Sequence, residues 1–528
     1  MGNFGFVIDN GACIGCHACS TACKSENEVP VGVYRTWVTY AETGRYPDVR
    51  RSFQVNRCNH CSNAPCVRIC PTSAMHTRPD GIVDFNDDAC IGCKACMQAC
   101  PYDAIYLDPD NHTAAKCHFC SHRIDVGLEP ACVVVCPEHA IIAGDLDDPE
   151  SEISRVIAKN SVAVRKPEQG TGPKVFYIEG NEVTLSPTAL ERSPESFMWG
   201  DARPLHHGGS EPPSGQLPAI QGLPEDGPVS MAQQMVQVGY NAQHRIQWHW
   251  PIPAYLVTKY ISGGVFAILA MTVLMPPVPF DPGVMVFGGG FALLCLFATL
   301  ALLVYDLDRP DRFLYLLTRP QWKSWVARAA WILTAFAMVA TAWWSLELLG
   351  YLWILPMAVP LRLVLAIFAA PLGILTAIYT GFLFAQAEGR DLWQSPHVPL
   401  QQTIHATMIG LGALSSLSLF IELPALFGAL VAHGFIAALF VGLLATLLAD
   451  FTIPHATEVA RQASRDMVRG RYRRWYWGGG IAIGYVLPLV LLGFQVPVAT
   501  FAAFGLACVG LFAYNYAFIM APQLVPNS

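Results

Sequence analysis

Cys90-Ile91-Gly92-Cys93-Lys94-Ala95-Cys96-Met97-Gln98-Ala99-Cys100-Pro101 decides how this chain is read. Two thiolates two residues apart reach neighbouring corners of one iron–sulfur cube, so three close cysteines wrap three irons and the proline turns the chain away after the fourth. Working outward, three sister quartets surround it. Cys13, Cys16, Cys19 and Cys23 keep the spacing but are followed by Lys24; Cys58, Cys61, Cys66 and Cys70 precede Pro71; Cys117, Cys120, Cys132 and Cys136 precede Pro137. Four quartets predict four [4Fe-4S] clusters, with the fourth cysteines exchanged in pairs.

The central run has the spacing of bacterial ferredoxins. A disulfide framework belongs to small secreted domains and does not predict four near-identical runs of this kind. Paired C-x2-C zinc motifs seldom carry a third cysteine at x2 and a fourth at x3 before proline. Cys295 and Cys508 lie in apolar runs and read as buried small hydrophobes.

Of the 528 residues, 53 % are apolar and 14 % charged, too greasy for an ordinary soluble protein. The balance is uneven. Residues 1–245 hold 19 Lys+Arg and 29 Asp+Glu and include 16 of the 18 cysteines, whereas residues 246–528 hold 14 and 11. Such a chain is neither a charge-driven nucleic-acid binder nor a fully soluble enzyme.

Residues 1–185 resemble the four-cluster electron-transfer subunits of molybdopterin oxidoreductases such as dimethyl sulfoxide reductase and polysulfide reductase. The likeness includes the eleven residues between Cys120 and Cys132, the four between Cys61 and Cys66, and the missing proline after Cys23. It implies an α+β ferredoxin-like domain of two repeats. It also implies the ligand sets: Cys13, Cys16 and Cys19 with Cys136; Cys117, Cys120 and Cys132 with Cys23; Cys58, Cys61 and Cys66 with Cys100; Cys90, Cys93 and Cys96 with Cys70.

Residues 186–245 are rich in Pro, Gly and Ser and read as a linker. Just before them, 174–178 and 182–185 alternate like a short hairpin closing the cluster domain. From Pro251 onward, eight apolar stretches of membrane-spanning length follow, at about 251–275, 283–305, 324–348, 362–386, 403–423, 426–450, 476–495 and 497–521. The second domain, 246–528, is therefore expected to be an all-α polytopic membrane anchor. Lys and Arg crowd the loops on the cluster-domain side, while the other side carries essentially only Arg362. By the positive-inside rule the cluster domain is expected in the cytoplasm, and residues 1–10 carry neither a twin-Arg pair nor a signal pattern.

The membrane half resembles the polysulfide-reductase/nitrite-reductase type of anchor through Trp248-His249-Trp250, Gly263-Gly264, Asp306-Leu307-Asp308-Arg309-Pro310-Asp311-Arg312-Phe313 and Arg469-Gly470-Arg471-Tyr472. The resemblance implies a haem-free, quinone-reactive protein. Independently, His405 and His433 would stand near opposite faces, about 20 Å apart at 1.5 Å per residue, so no haem is expected. Polar groups at membrane depth default to functional roles. On the cluster side these are His249, Tyr255, Lys259, Asp306, Arg309, His405 and Asp450, which together supply donors and protons for a quinone. Competing structural readings are Trp248 and Trp250 as interfacial anchors, Asp306 with Arg309 as a helix-capping ion pair, and Glu347 and Glu422 as snorkelling side chains.

The expectation is a fused electron-transfer and anchor subunit of an oxidoreductase in a bacterial inner membrane. It would relay electrons between a separate molybdopterin-containing catalytic subunit and the quinone pool, menaquinone or ubiquinone. The contrasting reading is a redox-coupled proton-translocating module of a larger respiratory assembly, similar to alternative complex III.

Overall fold

In the computed structural model the described residues are 2–45, 47–186, 188, 244–275 and 280–527. Nearly all of the expected linker therefore lies outside the described residues.

The cluster half is organised by the apolar strand Phe4–Asp9, whose Phe6, Val7 and Ile8 are wholly buried. It pairs antiparallel with Ile141–Asp145 and parallel with Val175–Ile178, which in turn pairs with Val162–Ala163. Beside this sheet a two-fold repeat recurs. Helix Pro65–Ile69 is followed by the hairpin Met75–Thr77/Val83–Phe85, and helix Ala95–Ala99 by Ile105–Leu107/Ala114–Lys116. The expected hairpin of 174–178 with 182–185 is not formed. Val175–Ile178 has neighbours on both edges, and Asn181 caps a helical turn instead, its Oδ1 accepting from the Thr184 N–H at 2.9 Å.

Among the described residues, seven helices are long and apolar enough to cross a membrane: α1 Pro251–Leu274, α2 Pro282–Tyr305, α3 Trp325–Tyr351, α4 Val359–Gln386, α6 Ala425–Thr452, α7 Arg474–Leu492 and α8 Pro497–Leu524. The stretch expected as an eighth span forms α5, Val398–Ser416, which is not among the seven. Its Gln401, Gln402, His405, Ser415 and Ser416 are buried against neighbouring helices, so it does not need an apolar surface toward lipid. α5 begins where Pro399 packs on Gly381 of α4 and ends where Leu414 and Leu417 meet Gly288 at the start of α2.

α1 is the axis of the bundle, and its paired glycines explain why. A methyl group at Gly263 would meet the Gly373 carbonyl of α4 at 2.6 Å, and one at Gly264 would collide with the Ala406 carbonyl of α5. Small residues let helix backbones approach this closely in a membrane.

Three expectations change. Trp248 is no lipid anchor: it is buried, stacks on Trp393 at 5.5 Å and donates to the Cys93 carbonyl at 3.3 Å. Glu347 does not snorkel; its side chain is 1 % exposed, accepts from both Nε and Nη2 of Arg362 at 2.6 and 2.9 Å, and accepts from the Trp343 indole. Arg309 pairs with Asp311 at 3.1 Å rather than with Asp306.

Candidate functional site

The sixteen cysteines fold into four sets that follow one another across the domain. One cavity is lined by Cys13, Cys16, Cys19 and Cys136, another by Cys23, Cys117, Cys120 and Cys132. Cys66 stands within electrostatic reach of Cys58, Cys61 and Cys100, and Cys96 within reach of Cys90, Cys93 and Cys70. In this sequence they are the outer, second, third and inner sets. Cys117 neighbours Cys58, and Cys66 neighbours Cys96, so the sets run in that order.

Among the described residues no three or more His, Cys, Asp or Glu side chains are gathered for a single metal ion. The sulfurs of the outer and second sets stand apart around cavities, as a cube held at its corners requires. A second feature fits the same group. Arg57 is 1 % exposed and its Nη1 donates to the Cys132 sulfur at 3.1 Å, while Nε and Nη2 have no partner. A buried guanidinium without a carboxylate is costly, and an anionic group ringed by thiolates is what would balance it.

The two ends of the row differ in exposure. Cys16 is exposed and Cys13 and Cys136 are half-buried. At the other end, the Cys90–Cys100 loop presses on the membrane bundle. Gly92 has φ +66°, and a side chain there would meet the Asp308 Cβ at 2.8 Å, so both conformation and space require glycine. The Asp308 N–H donates to the Gly92 carbonyl, and Arg312 Nη1 to the Cys90 carbonyl at 3.1 Å. Lys94 donates to the Asp306 carbonyl at 2.8 Å and pairs with Asp308 at 3.2 Å.

Behind the third set a second clamp closes. Gln98 donates to Gln523 at 2.8 Å and accepts from Arg390 Nε at 3.0 Å, and Gly389 donates to the Gln98 carbonyl. Asp103 receives His244 Nδ1 at 3.0 Å, Arg390 Nη2 at 3.5 Å and the Asn527 N–H at 2.7 Å. Burial alone would raise the Asp103 pKa, but His244 and Arg390 outweigh it and hold the carboxyl well below the ordinary carboxylate range.

The seven polar residues expected at the quinone site are spread over α1, the end of α2, α5, α6 and the domain interface. Tyr255 and Lys259 are buried in α1 and share Thr380 of α4, to which Lys259 Nζ donates at 2.5 Å. Lys259 also lies 4.4 Å from the Tyr379 ring centre. Asp306 ends α2 beside Lys94, and burial pushes its carboxyl up to about 6, a value suited to proton exchange near neutrality. Arg309 lies in the domain interface, donating to the Asn111 carbonyl at 3.2 Å, and His249 is exposed on the turn before α1.

His405 and Asp450 lie in a network between α5, α6, α7 and α8 that meets the first group at Tyr260, whose ring centre is 5.0 Å from Lys259 Nζ and 6.0 Å from the His405 ring. His405 Nε2 lies 3.0 Å from the Tyr485 hydroxyl, which is 3.3 Å from Thr446 Oγ1; Gln401 donates to Thr446 at 3.3 Å and to the Tyr514 hydroxyl at 2.7 Å. Asp450 accepts from the Tyr476 hydroxyl at 2.8 Å. His433 is exposed, on the outside of α6. Thr380, Tyr379, Gln401, Tyr485 and Tyr514 do not stand out in the sequence. The signal that points to Gln401 is the polar content of α5, which marks an interior helix.

Residues 49–146 match the model of the 4Fe-4S dicluster domain, and residues 240–527 that described as polysulphide reductase, NrfD. Over 178 residues the chain is 45 % identical to a polysulfide reductase chain of Wolinella succinogenes, spanning 33 % of this chain and 93 % of that protein. It is 42 % identical over 210 residues to a putative dimethyl sulfoxide reductase iron-sulfur subunit of Halobacterium salinarum, covering 34 % and 80 % of the two chains. A tetrathionate reductase subunit of Salmonella typhimurium is 42 % identical over 188 residues, 35 % of this chain and 75 % of that one.

Proposed function

Because this chain belongs to the polysulphide reductase NrfD family and joins that membrane anchor to a 4Fe-4S iron–sulfur subunit, we propose that it relays electrons between a separate molybdopterin-containing catalytic subunit and quinone in the membrane. The observation that carries this reading is the row of four cysteine sets, from the exposed Cys16 to the Cys90 loop seated on the bundle. We assign the outer, second, third and inner sets as the ligands of four [4Fe-4S] clusters. When bound, these clusters would supply one-electron steps.

The chain's own residues do the rest. Trp248, Arg312 and Lys94 hold the inner set against the bundle, and the Asp103 clamp fixes the third. Tyr255 and Lys259 are assigned to donate hydrogen bonds to quinone, with Asp306 exchanging its proton at the cluster-side surface. Of the others expected at the same site, Arg309 serves the domain interface, His405 adjoins the group through the Tyr260 ring, and Asp450 lies further along the same network.

Eight membrane crossings are part of the proposal, α5 being the eighth. Trp248 before α1 and Asn527 after α8 both touch the cluster domain, which an even number of crossings requires. A cytoplasmic cluster domain in a bacterial inner membrane is proposed from the loop charges. The second reading, a proton-translocating module, is favoured by the buried network from His405 to Tyr514 and Asp450. Among the described residues no hydrogen bond joins that network to Glu347 near the far face.

The test is reduction of the anaerobically purified chain by a quinol analogue, followed by paramagnetic resonance and iron counting. About sixteen irons per chain, with signals that vanish under a quinone-site inhibitor, are expected. Full iron without quinol-dependent reduction would remove the quinone assignment.

A further inference from the structure

The four sets have unequal electrostatic surroundings. Sulfurs of the inner set receive main-chain donors, the Met75 N–H to Cys70 and the Ala114 N–H to Cys90, each at 3.4 Å. The second set receives the Ala131 main-chain N–H at Cys120 and, in addition, an amide and a guanidinium. Asn27 Nδ2 lies 3.7 Å from both the Cys23 and Cys120 sulfurs, and Arg57 Nη1 lies 3.1 Å from the Cys132 sulfur.

Arg57 differs from the other cations nearby. Lys116 spends its hydrogen bonds on the Val83 and Cys117 carbonyls, and Arg35 donates to the Tyr106 hydroxyl. Arg57 donates directly to a sulfur, is buried, and has two nitrogens without partners. Its guanidinium lies over the Phe6 ring at 4.4 Å and also faces Cys117 of the second set and Cys19 of the outer one. It is a permanent charge, since no protein environment deprotonates arginine.

We propose that Arg57 sets the reduction potential of the cluster held by Cys23, Cys117, Cys120 and Cys132, raising it above the value its cysteines alone would give, with a smaller rise at the outer set. This rests on the assignment of those cysteines as ligands. Addition of one electron places one more negative charge beside a fixed cation in a site poor in water, and no proton or bond changes hands. Hydrogen bonds to sulfur and nearby charge are the protein's means of shifting such potentials, and low local dielectric strengthens both. The cost of burying Arg57 in the oxidised state is what the added electron relieves.

The test is a potentiometric titration of the anaerobically purified full chain with dithionite, followed by paramagnetic resonance, for wild type, Arg57→Gln and Arg57→Lys. In Arg57→Gln the reduced-to-oxidised ratio of one signal at fixed potential is expected to fall at least tenfold, 59 mV for a one-electron couple. A second signal should fall less, and two should not move. Arg57→Lys keeps the charge and should fall less than Arg57→Gln. Full iron in Arg57→Gln with all four signals unmoved overturns the inference. If Arg57→Gln does not hold its iron, Arg57→Met is titrated in its place; loss of iron from both neutral variants but not from Arg57→Lys also overturns it, making Arg57 an assembly residue. Iron well below four clusters in wild type would instead remove the ligand assignment itself.

Discussion

The outer and inner ends of the cysteine row are built for opposite tasks. At the outer end Cys16 is exposed, and Ile14, Val134 and Val135 present 55 %, 59 % and 40 % of their surface to solvent around it. At the inner end Gly92, Gly389, Gln98 and Asp103 are closed into the bundle through contacts that leave no room for a methyl group at either glycine. One end is fused to the membrane domain by packing and buried charge; the other is exposed. The lesson is that the joint between the two domains is a core, not a docking contact, although the chain between them is a linker in sequence.

The strongest way to break this contrast is Asp103→Ala. Arg390 and His244 would lose a shared buried anion, and removing one partner of a buried pair costs about 3–5 kcal/mol. Chemical denaturation of the detergent-solubilised chain is expected to show that loss, with the domains separating to protease before either unfolds. The counterpart away from the joint is Glu26→Gln; Glu26 lies beside Cys120 of the second set and faces His122 and Arg123 at the surface. Exposed pairs contribute about 0.2–1 kcal/mol, so equal losses from the two variants would erase the distinction.

Lys259→Met sharpens the comparison from the functional side. Of the two ends, the inner one faces the Tyr255–Lys259–Thr380 group through Asp306, so the variant should slow quinol-dependent reduction by about 100-fold, the scale of a lost hydrogen-bond donor to developing charge. A water-soluble reductant that meets the chain at Cys16 should reduce it as fast as wild type. Slowing by both reductants would mean that the substitution had damaged the row and not the quinone contact.

A smaller perturbation tests how tightly the inner joint is packed. In Gly389→Ala the new methyl would stand 2.7 Å from the Gln98 carbonyl and closer still to that of Cys100. Main-chain atoms cannot move aside as a flexible side chain would, and overpacking of this kind costs typically about 1–3 kcal/mol. Gly505→Ala, where nothing lies within 4 Å, is the control and should be neutral or slightly stabilising in the middle of α8. Unchanged unfolding of Gly389→Ala would show that the joint has slack.

What is legible in the sequence follows the range of the contacts. The cysteine quartets announce themselves because each lies within one short stretch of chain, the longest from Cys117 to Cys136, and the apolar stretches because a bilayer needs a certain length. The hairpin expected near 174–185 does not form because a strand far away in sequence, Phe4–Asp9, takes the edge of Val175–Ile178 in parallel register. α5 is visible as a helical stretch, but its polar residues are buried by other helices, which no window on one segment reveals. The expected Asp306–Arg309 pair gives way to Lys94 and Asp311 for the same cause, since Lys94 comes from another domain. At the membrane site, Lys259 stands out as a charge in an apolar run, while its partner Thr380 lies 121 positions on and, like Tyr379, looks like an ordinary helix residue. Motifs carry chemistry that is local; sites assembled from single residues on several helices are legible only through the odd residue that does not belong.

The subtlest test of the inner joint is its response to pH. Lys166 donates to Asn527 Oδ1 at 2.6 Å, beside the Asp103 clamp. Burial, with Arg165 and Arg390 close by, brings its pKa down to about 8 against the pull of Asp391 and Asp103. Between pH 8 and its ordinary value of 10.5 the unfolded chain therefore holds a proton that the folded chain has released. Stability rises with pH wherever the unfolded state binds more protons. In that window the wild type should gain on Lys166→Met by on the order of 1 kcal/mol, since each pKa unit is worth 1.36 kcal/mol and the amine is only half-buried. The comparison with Lys166→Met removes titrations common to both, such as those of the tyrosines. The neutral amine still donates to Asn527, so the contact itself survives the loss of charge. A constant difference between the two proteins from pH 7 to 10.5 would mean that Lys166 keeps its proton in the folded joint, and that water reaches a seam which the packing at Gly92 and Gly389 describes as closed.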